Sequence, residues 1–259
     1  MADLRNYQTR VGAAAARADA SIDQGLRAYM LRVYNLMALG LAITGFAALG
    51  TVMLATTTDP TAAVATLGNG KMLTGTGVAI YGSPLRWVVM LAPLALVFFL
   101  SFRIHKMSVS AAQTTFWAYA ALVGVSLSSI FLVYTSASIV QTFFVTAASF
   151  GALSLWGYTT KRDLTGMGSF LFMGVIGIII AMLVNLFLQS SALQFAISAI
   201  GVLVFAGLTA YDTQQIKEMY YEQDDEMVAG RKAIMGALRL YLDFINMFMF
   251  LLQFLGNRE

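Results

Sequence analysis

MSVSAAQTTFWAYAALVGVSLSSIFLVYTSASIVQTFFVTAASFGALSLWGYTT, residues 107–160, runs for 54 positions without a charged side chain. A helix rises about 1.5 Å per residue and a bilayer's hydrocarbon core is about 30 Å thick, so about 20 apolar residues make one crossing and this stretch makes two. The turn between them is expected near Tyr134–Ser138.

Carried outward, the same measure gives the remaining spans. Residues 164–211 are 48 further uncharged positions that break at Gln189-Ser190-Ser191 into the fifth and sixth spans. Val33–Met53, uncharged over 21 residues, is the first span. Trp87–Phe102, interrupted by Pro93 and flanked by Arg86 and Arg103, is the second, and Leu238–Leu255 the seventh. Residues 54–86, with Asp59-Pro60 and a Gly- and Thr-rich stretch, form the longest exposed loop. Residues 1–28 are polar and Ala-rich and lack the apolar centre of a cleavable signal, so they are expected to be a cytosolic tail, mobile up to about Asp23. The transmembrane domain then occupies 29–259. The fold class is an all-α membrane protein with seven transmembrane helices.

Composition agrees with a lipid solvent. Hydrophobic residues make up 59% of the 259 positions and charged residues 11%, with mean hydropathy +0.74, where a soluble domain carries roughly 25% charged residues. The net charge of +3 is read as a topology signal and implies no nucleic acid. The absence of cysteine excludes disulfides, thiolate metal sites and cysteine catalysis, and the single histidine, His105, excludes a multi-histidine site. With the N-terminus cytoplasmic, thirteen basic residues fall inside, against Lys71, Arg86 and Arg258 outside. The side of the C-terminus stays open, because a re-entrant last segment returns Arg258 to the cytosol.

Asp212 and Asp243 are the only acidic residues inside the apolar segments. A carboxylate in the middle of a lone membrane helix costs roughly 2.5 to 3.5 kcal/mol, so the two call for a partner, a water-filled cavity or a proton. Asp212 lies near the cytosolic end of span six and Asp243 near the cytosolic start of span seven, so on antiparallel helices they meet at similar, shallow depth. Two carboxyls within hydrogen-bonding distance in a poorly hydrated site do not both ionise easily; one keeps its proton and the pair titrates as a unit. Such a pair reads pH. Two cations compete to latch it: Arg103 at the cytosolic end of span two, and Arg239, four residues before Asp243 on one helical face. Asn246, one turn beyond Asp243, either ties helices together or lines a path. The carboxyl oxygens also offer a cation a stopping place, but calcium takes six to eight oxygen ligands, so Asp212 and Asp243 would hold it only weakly and transiently.

The segments Ala210-Tyr211-Asp212-Thr213-Gln214-Gln215-Ile216-Lys217 and Leu240-Tyr241-Leu242-Asp243-Phe244-Ile245-Asn246-Met247-Phe248 resemble the two hallmark stretches of the Bax inhibitor-1 family, the transmembrane Bax inhibitor motif proteins. The likeness extends to Gly25-Leu26-Arg27-Ala28-Tyr29-Met30 with Val33-Tyr34, and to Ser101-Phe102-Arg103-Ile104-His105-Lys106. It implies a protein of bacterial type, in the inner (plasma) membrane, whose last, very apolar helix is central and wrapped by the other six. It also implies a pH-sensitive calcium leak, with no enzymatic activity and no cofactor. Asp212 and Asp243 match the family's proton-sharing pair, and Arg103 matches the arginine of the second helix that latches onto it. Arg239 departs from the family pattern, where a small or neutral residue is commoner.

Two other readings compete with the channel. Intramembrane aspartyl proteases place two aspartates on neighbouring helices, one in a Tyr-Asp pair as at Tyr211-Asp212, but the second in a Gly-x-Gly-Asp stretch, where this chain has Leu240-Tyr241-Leu242-Asp243. Relatives also suggest an interaction protein that modulates a membrane protease or a stress-response partner, with the basic tail as its handle. Elsewhere, Gln223-Asp224-Asp225-Glu226 is expected to be a solvated loop cluster, and Gly166, Gly168, Gly174 and Gly177 to permit close helix packing. Asn185 and Gln194 are expected to tie helices together.

Overall fold

The computed structural model describes residues 2–258, with side chains from Gln24 onward; the expected tail mobility up to Asp23 lies outside the residues described in full. In chain order the elements are α1 (Ala2–Ala55), β1 (Thr56–Thr57), β2 (Ala65–Thr66), β3 (Met72–Leu73), α2 (Gly75–Gly77), α3 (Leu85–Arg103), α4 (Val109–Leu127), α5 (Ile130–Val133), α6 (Ser136–Thr159), α7 (Thr165–Leu188), α8 (Ser191–Glu218) and α9 (Glu226–Leu255). Among the described residues, seven segments are long and apolar enough to cross a membrane: Gln24–Ala55, Leu85–Lys106, Val109–Val133 and the four helices α6 to α9.

Side-chain caps set the breaks between spans. Thr135 accepts from Ser138 N at the start of α6, and Ser190 from Leu193 N at the start of α8. Between α7 and α8 the chain reverses through Gln189, the one non-glycine residue with positive φ (49°) among the described residues. Both turns fall where hydroxyl and amide side chains interrupt the apolar runs. Asp225 caps α9 by accepting from Val228 N at 2.7 Å, and Asp224 pairs with Lys232 Nζ at 2.6 Å. The acidic loop cluster therefore anchors the start of a helix.

That cap also moves a boundary. α9 begins at Glu226, more than three turns before Leu238, because Arg231 and Lys232 remain helical where the hydropathy has ended. Asp243 consequently lies more than four turns from the start of α9. The 54–86 loop carries a three-stranded antiparallel sheet, order β1-β3-β2, whose two-residue strands are too short to leave an alternating pattern in the sequence.

The last helix is central. It packs against α1, α4, α6 and α8, while α3 lies on α4 and α7 on α8. In its most apolar 18-residue window 67% of positions are buried, against 11% in α7 and 17% in Leu85–Lys106. Tyr241 is fully buried there, edge-on to Phe116 and Tyr119, with its hydroxyl 2.6 Å from Thr44 Oγ1. α9 runs without a break to Leu255, and the residues after it meet the α5–α6 turn: Thr135 N donates to Asn257 O, Asn257 N to Ser138 Oγ, and Arg258 bridges to Tyr134. Residues 256–258 thus lie at the end of the bundle holding the β1–β3 loop, and α9 crosses from one end to the other without re-entering.

Of the four glycines expected at helix contacts, two are used. A Cβ on Gly168 would stand 2.4 Å from the Tyr211 ring and one on Gly174 would stand 3.1 Å from Val204, whereas Gly166 and Gly177 face open space. Two other helix crossings bring a glycine against backbone, at Gly157 facing the Ala210 carbonyl and Gly124 facing the Thr44 carbonyl.

Near the same end as the β-loop, amides bind three helices together. Asn185 Nδ2 on α7 donates to Gln194 Oε1 on α8 at 3.1 Å, and Gln194 Nε2 donates to Gln253 Oε1 on α9 at 2.7 Å. Ser198 Oγ also reaches Gln253 Oε1, at 3.3 Å. Replacing Gln253 by Leu strands Gln194 Nε2 in an apolar region, a loss of about 1 to 3 kcal/mol. Thermal unfolding in detergent should show Gln253→Leu melting several degrees below Gln253→Glu, and equal melting would contradict this account.

Candidate functional site

The segment 210–217 is arranged so that each turn of α8 does separate work. Ala210 presents its carbonyl to Gly157. Thr213 Oγ1 meets Ser154 Oγ at 2.9 Å, and Ser154 in turn meets the Tyr34 hydroxyl at 2.5 Å, joining α8, α6 and α1. Gln214 clamps the α6–α7 connection, accepting from Leu164 N and donating to Arg162 O, both at 2.8 Å. Lys217 Nζ donates to the Tyr158 carbonyl at the end of α6 and lies over the Tyr158 ring. With its neighbours fixed to α6, the Asp212 side chain is left facing α9.

α9 answers with one face. Arg239, Leu242, Asp243 and Asn246 recur at three- and four-residue spacing and line a cavity of about 740 Å³ together with Asp212, Tyr211, Ser169 and Phe205. The carboxyls of Asp212 and Asp243 stand within hydrogen-bonding reach of each other, and the Arg239 guanidinium acts on both. Asp243 is buried, and its Oδ2 has no hydrogen-bond partner among the described residues. Two carboxyls bond to one another only when one of them carries a proton. Asn246 donates its amide to the Leu242 carbonyl at 2.8 Å and lines the cavity.

The structure therefore brings together Asp212, Asp243, Arg239 and Asn246, and leaves Arg103 apart. Arg103 ends α3, which packs on the outer side of α4, and it is not among the residues lining the cavity. No group of three or more His, Asp or Glu gathers among the described residues, so a cation at Asp212 and Asp243 would need carbonyls or water for most of its ligands. Two acids outside the spans are accounted for separately. Hydrogen bonds from the Thr61 backbone and hydroxyl hold Asp59 below the usual carboxylate range, and the Thr165 side chain and backbone do the same for Asp163.

Sequence reasoning missed Gln253, Ser154 and Thr213 as polar ties. Gln253 looks like an interfacial residue at the end of an apolar run, and Ser or Thr hydroxyls in membrane helices ordinarily bond to their own backbone.

The model of the family described as "Inhibitor of apoptosis-promoting Bax1" matches residues 26–259. An uncharacterized protein of Rickettsia prowazekii is 50% identical over 239 residues, 92% of this chain and 93% of that protein. An uncharacterized protein of Caulobacter vibrioides is 48% identical over 245 residues, 94% of each. The inner membrane protein YbhL of Escherichia coli is 55% identical over 173 residues, 66% of this chain and 74% of YbhL. With a family match over nearly all of the transmembrane region and these relatives beside it, the chain belongs to the Bax inhibitor-1 family.

Proposed function

We propose that this protein is a pH-sensitive cation leak, with calcium among the ions passed, gated by the Asp212–Asp243 pair. The carrying observation is the juxtaposition of two carboxyls from α8 and α9 over one cavity of about 740 Å³ that also holds Arg239. A shared proton joins the two helices; its loss sets two negative charges side by side and favours their separation. The oxygens left behind give a passing cation a weak site, as conduction requires. We place the protein in the bacterial inner membrane, the location in the name of its relative YbhL, with its N-terminal side cytoplasmic.

Purified protein in liposomes should pass calcium at a rate that changes with pH; no flux at any pH, against empty liposomes, would overturn the reading. The latch is Arg239. Removing this cation weakens the charged form of the pair, so Arg239→Gln should move the flux midpoint to higher pH by up to about one pH unit, equivalent to about 1.4 kcal/mol. Arg103→Gln should leave the midpoint in place. A midpoint that follows Arg103 and ignores Arg239 would give the latch to α3.

A further inference from the structure

The three basic residues at the β-loop end of the bundle, Lys71, Arg86 and Arg258, gather around one turn, Phe131–Tyr134. Lys71 Nζ donates to the Phe131 carbonyl at 2.6 Å. Arg86 and Arg258 line a cavity of about 490 Å³ together with Leu132 and Val133. The Arg258 guanidinium lies 5.8 Å from the Tyr134 ring centroid, and that of Arg86 lies 5.1 Å from the Trp87 ring. The topology signal places the other basic residues at the opposite end, so a cluster here runs against the overall bias. Neither Arg86 nor Arg258 has an ion-pair partner among the described residues, where the pair formed is Lys232–Asp224.

The cavity wall is preformed. Asn69 Nδ2 donates to the Leu132 carbonyl at 2.9 Å, and the Tyr81 hydroxyl meets Ser128 Oγ at 2.7 Å. The same wall includes the apolar side chains of Met90 and Val133, both exposed and both on membrane-spanning segments. Planar guanidinium groups bind phosphate through paired N–H donors, and aromatic rings beside them mark the headgroup level of a bilayer. We propose that this cavity binds the phosphate of a phospholipid headgroup in the leaflet at that end, with Arg86 and Arg258 as its charge partners and an acyl chain along Met90 and Val133. The apolar wall favours a lipid over free phosphate. The site is remote from Asp212 and Asp243 and does not rest on the leak.

Native mass spectrometry of the full chain in detergent, titrated with short-chain phosphatidylglycerol, tests this. One lipid should bind saturably, and the double variant Arg86→Gln/Arg258→Gln should bind it about thirtyfold more weakly, the factor for losing two cations near an anionic headgroup. The pair Arg86→Lys/Arg258→Lys should recover most of the affinity, which also shows that the site still folds when the guanidinium groups are gone. Exposed Arg162→Gln, at the opposite end, should change nothing. Unchanged affinity in the Gln double variant would overturn the proposal, as would an equal loss in Arg162→Gln. Displacement of the lipid by inorganic phosphate at equal concentration would overturn it too, by making the site one for the free anion.

Discussion

Liposomes carrying Asp212→Asn or Asp243→Asn should show calcium flux that no longer varies with pH, while the unaltered protein changes its rate about tenfold or more across the titration of the pair. The expectation follows from charge. With one proton the pair carries a single negative charge; without it, two charges repel by about 4 kcal/mol at about 4 Å under an effective dielectric of about 20. A third of that energy already moves a two-state equilibrium about tenfold. The sign is fixed by the proton: repulsion appears as pH rises, so the α8–α9 contact is firmest on the acid side. Asparagine keeps the volume and removes the titration, and either substitution suffices because the pair acts as a unit. Asp59 and Asp163, held below the usual carboxylate range by their threonine neighbours, contribute no response near neutrality. Two Asn variants that retain the unaltered pH profile would end the sensor assignment. Cleavage of a membrane peptide by the purified protein, lost in both variants, would instead revive the protease reading.

Gly157→Ala should be among the most destabilising single-methyl changes in the molecule. Its Cβ would lie 2.2 Å from the Ala210 carbonyl oxygen and 2.9 Å from the carbonyl carbon, which are backbone atoms that cannot rotate away. α6 and α8 would have to move apart, and with them the Thr213–Ser154 bond and the Gln214 clamp beside Asp212. Overpacking of this kind costs about 1 to 3 kcal/mol or more. Gly124→Ala, whose Cβ would meet the Thr44 carbonyl at 2.4 Å, should behave alike between α1 and α4. Gly177→Ala and Gly45→Ala face open space and should be silent or slightly stabilising. Melting in detergent micelles decides the matter: a Gly157→Ala protein that unfolds with the Gly177→Ala protein would show that the α6–α8 crossing is looser than described.

The spans were legible because the bilayer sets their length, and uncharged runs with a polar break at Tyr134–Ser138 or Gln189–Ser191 leave little freedom. The start of α9 was not, because hydropathy stops at Leu238 while a capped, charged helix continues outward to Asp225. The meeting of Asp212 and Asp243 could be read from antiparallel order alone. Their cation could not, since Arg103 and Arg239 share a level by count, and only the placement of α3 behind α4 separates them. The amide ties were half visible: Asn185 and Gln194 stand out in apolar sequence, whereas Gln253 sits where an interfacial residue is ordinary.

The helix that four others pack upon follows all four of them in the chain. As the chain emerges, α1, α4, α6 and α8 enter the bilayer before the element that fills the space between them exists, so lipid must occupy that slot first. Insertion of α9 therefore exchanges lipid for protein at the centre, and the two acids meet only at that step. A nascent chain stopped short of α9 holds the membrane spans but no paired carboxyls, which keeps the proposed conduit from existing before the fold is closed.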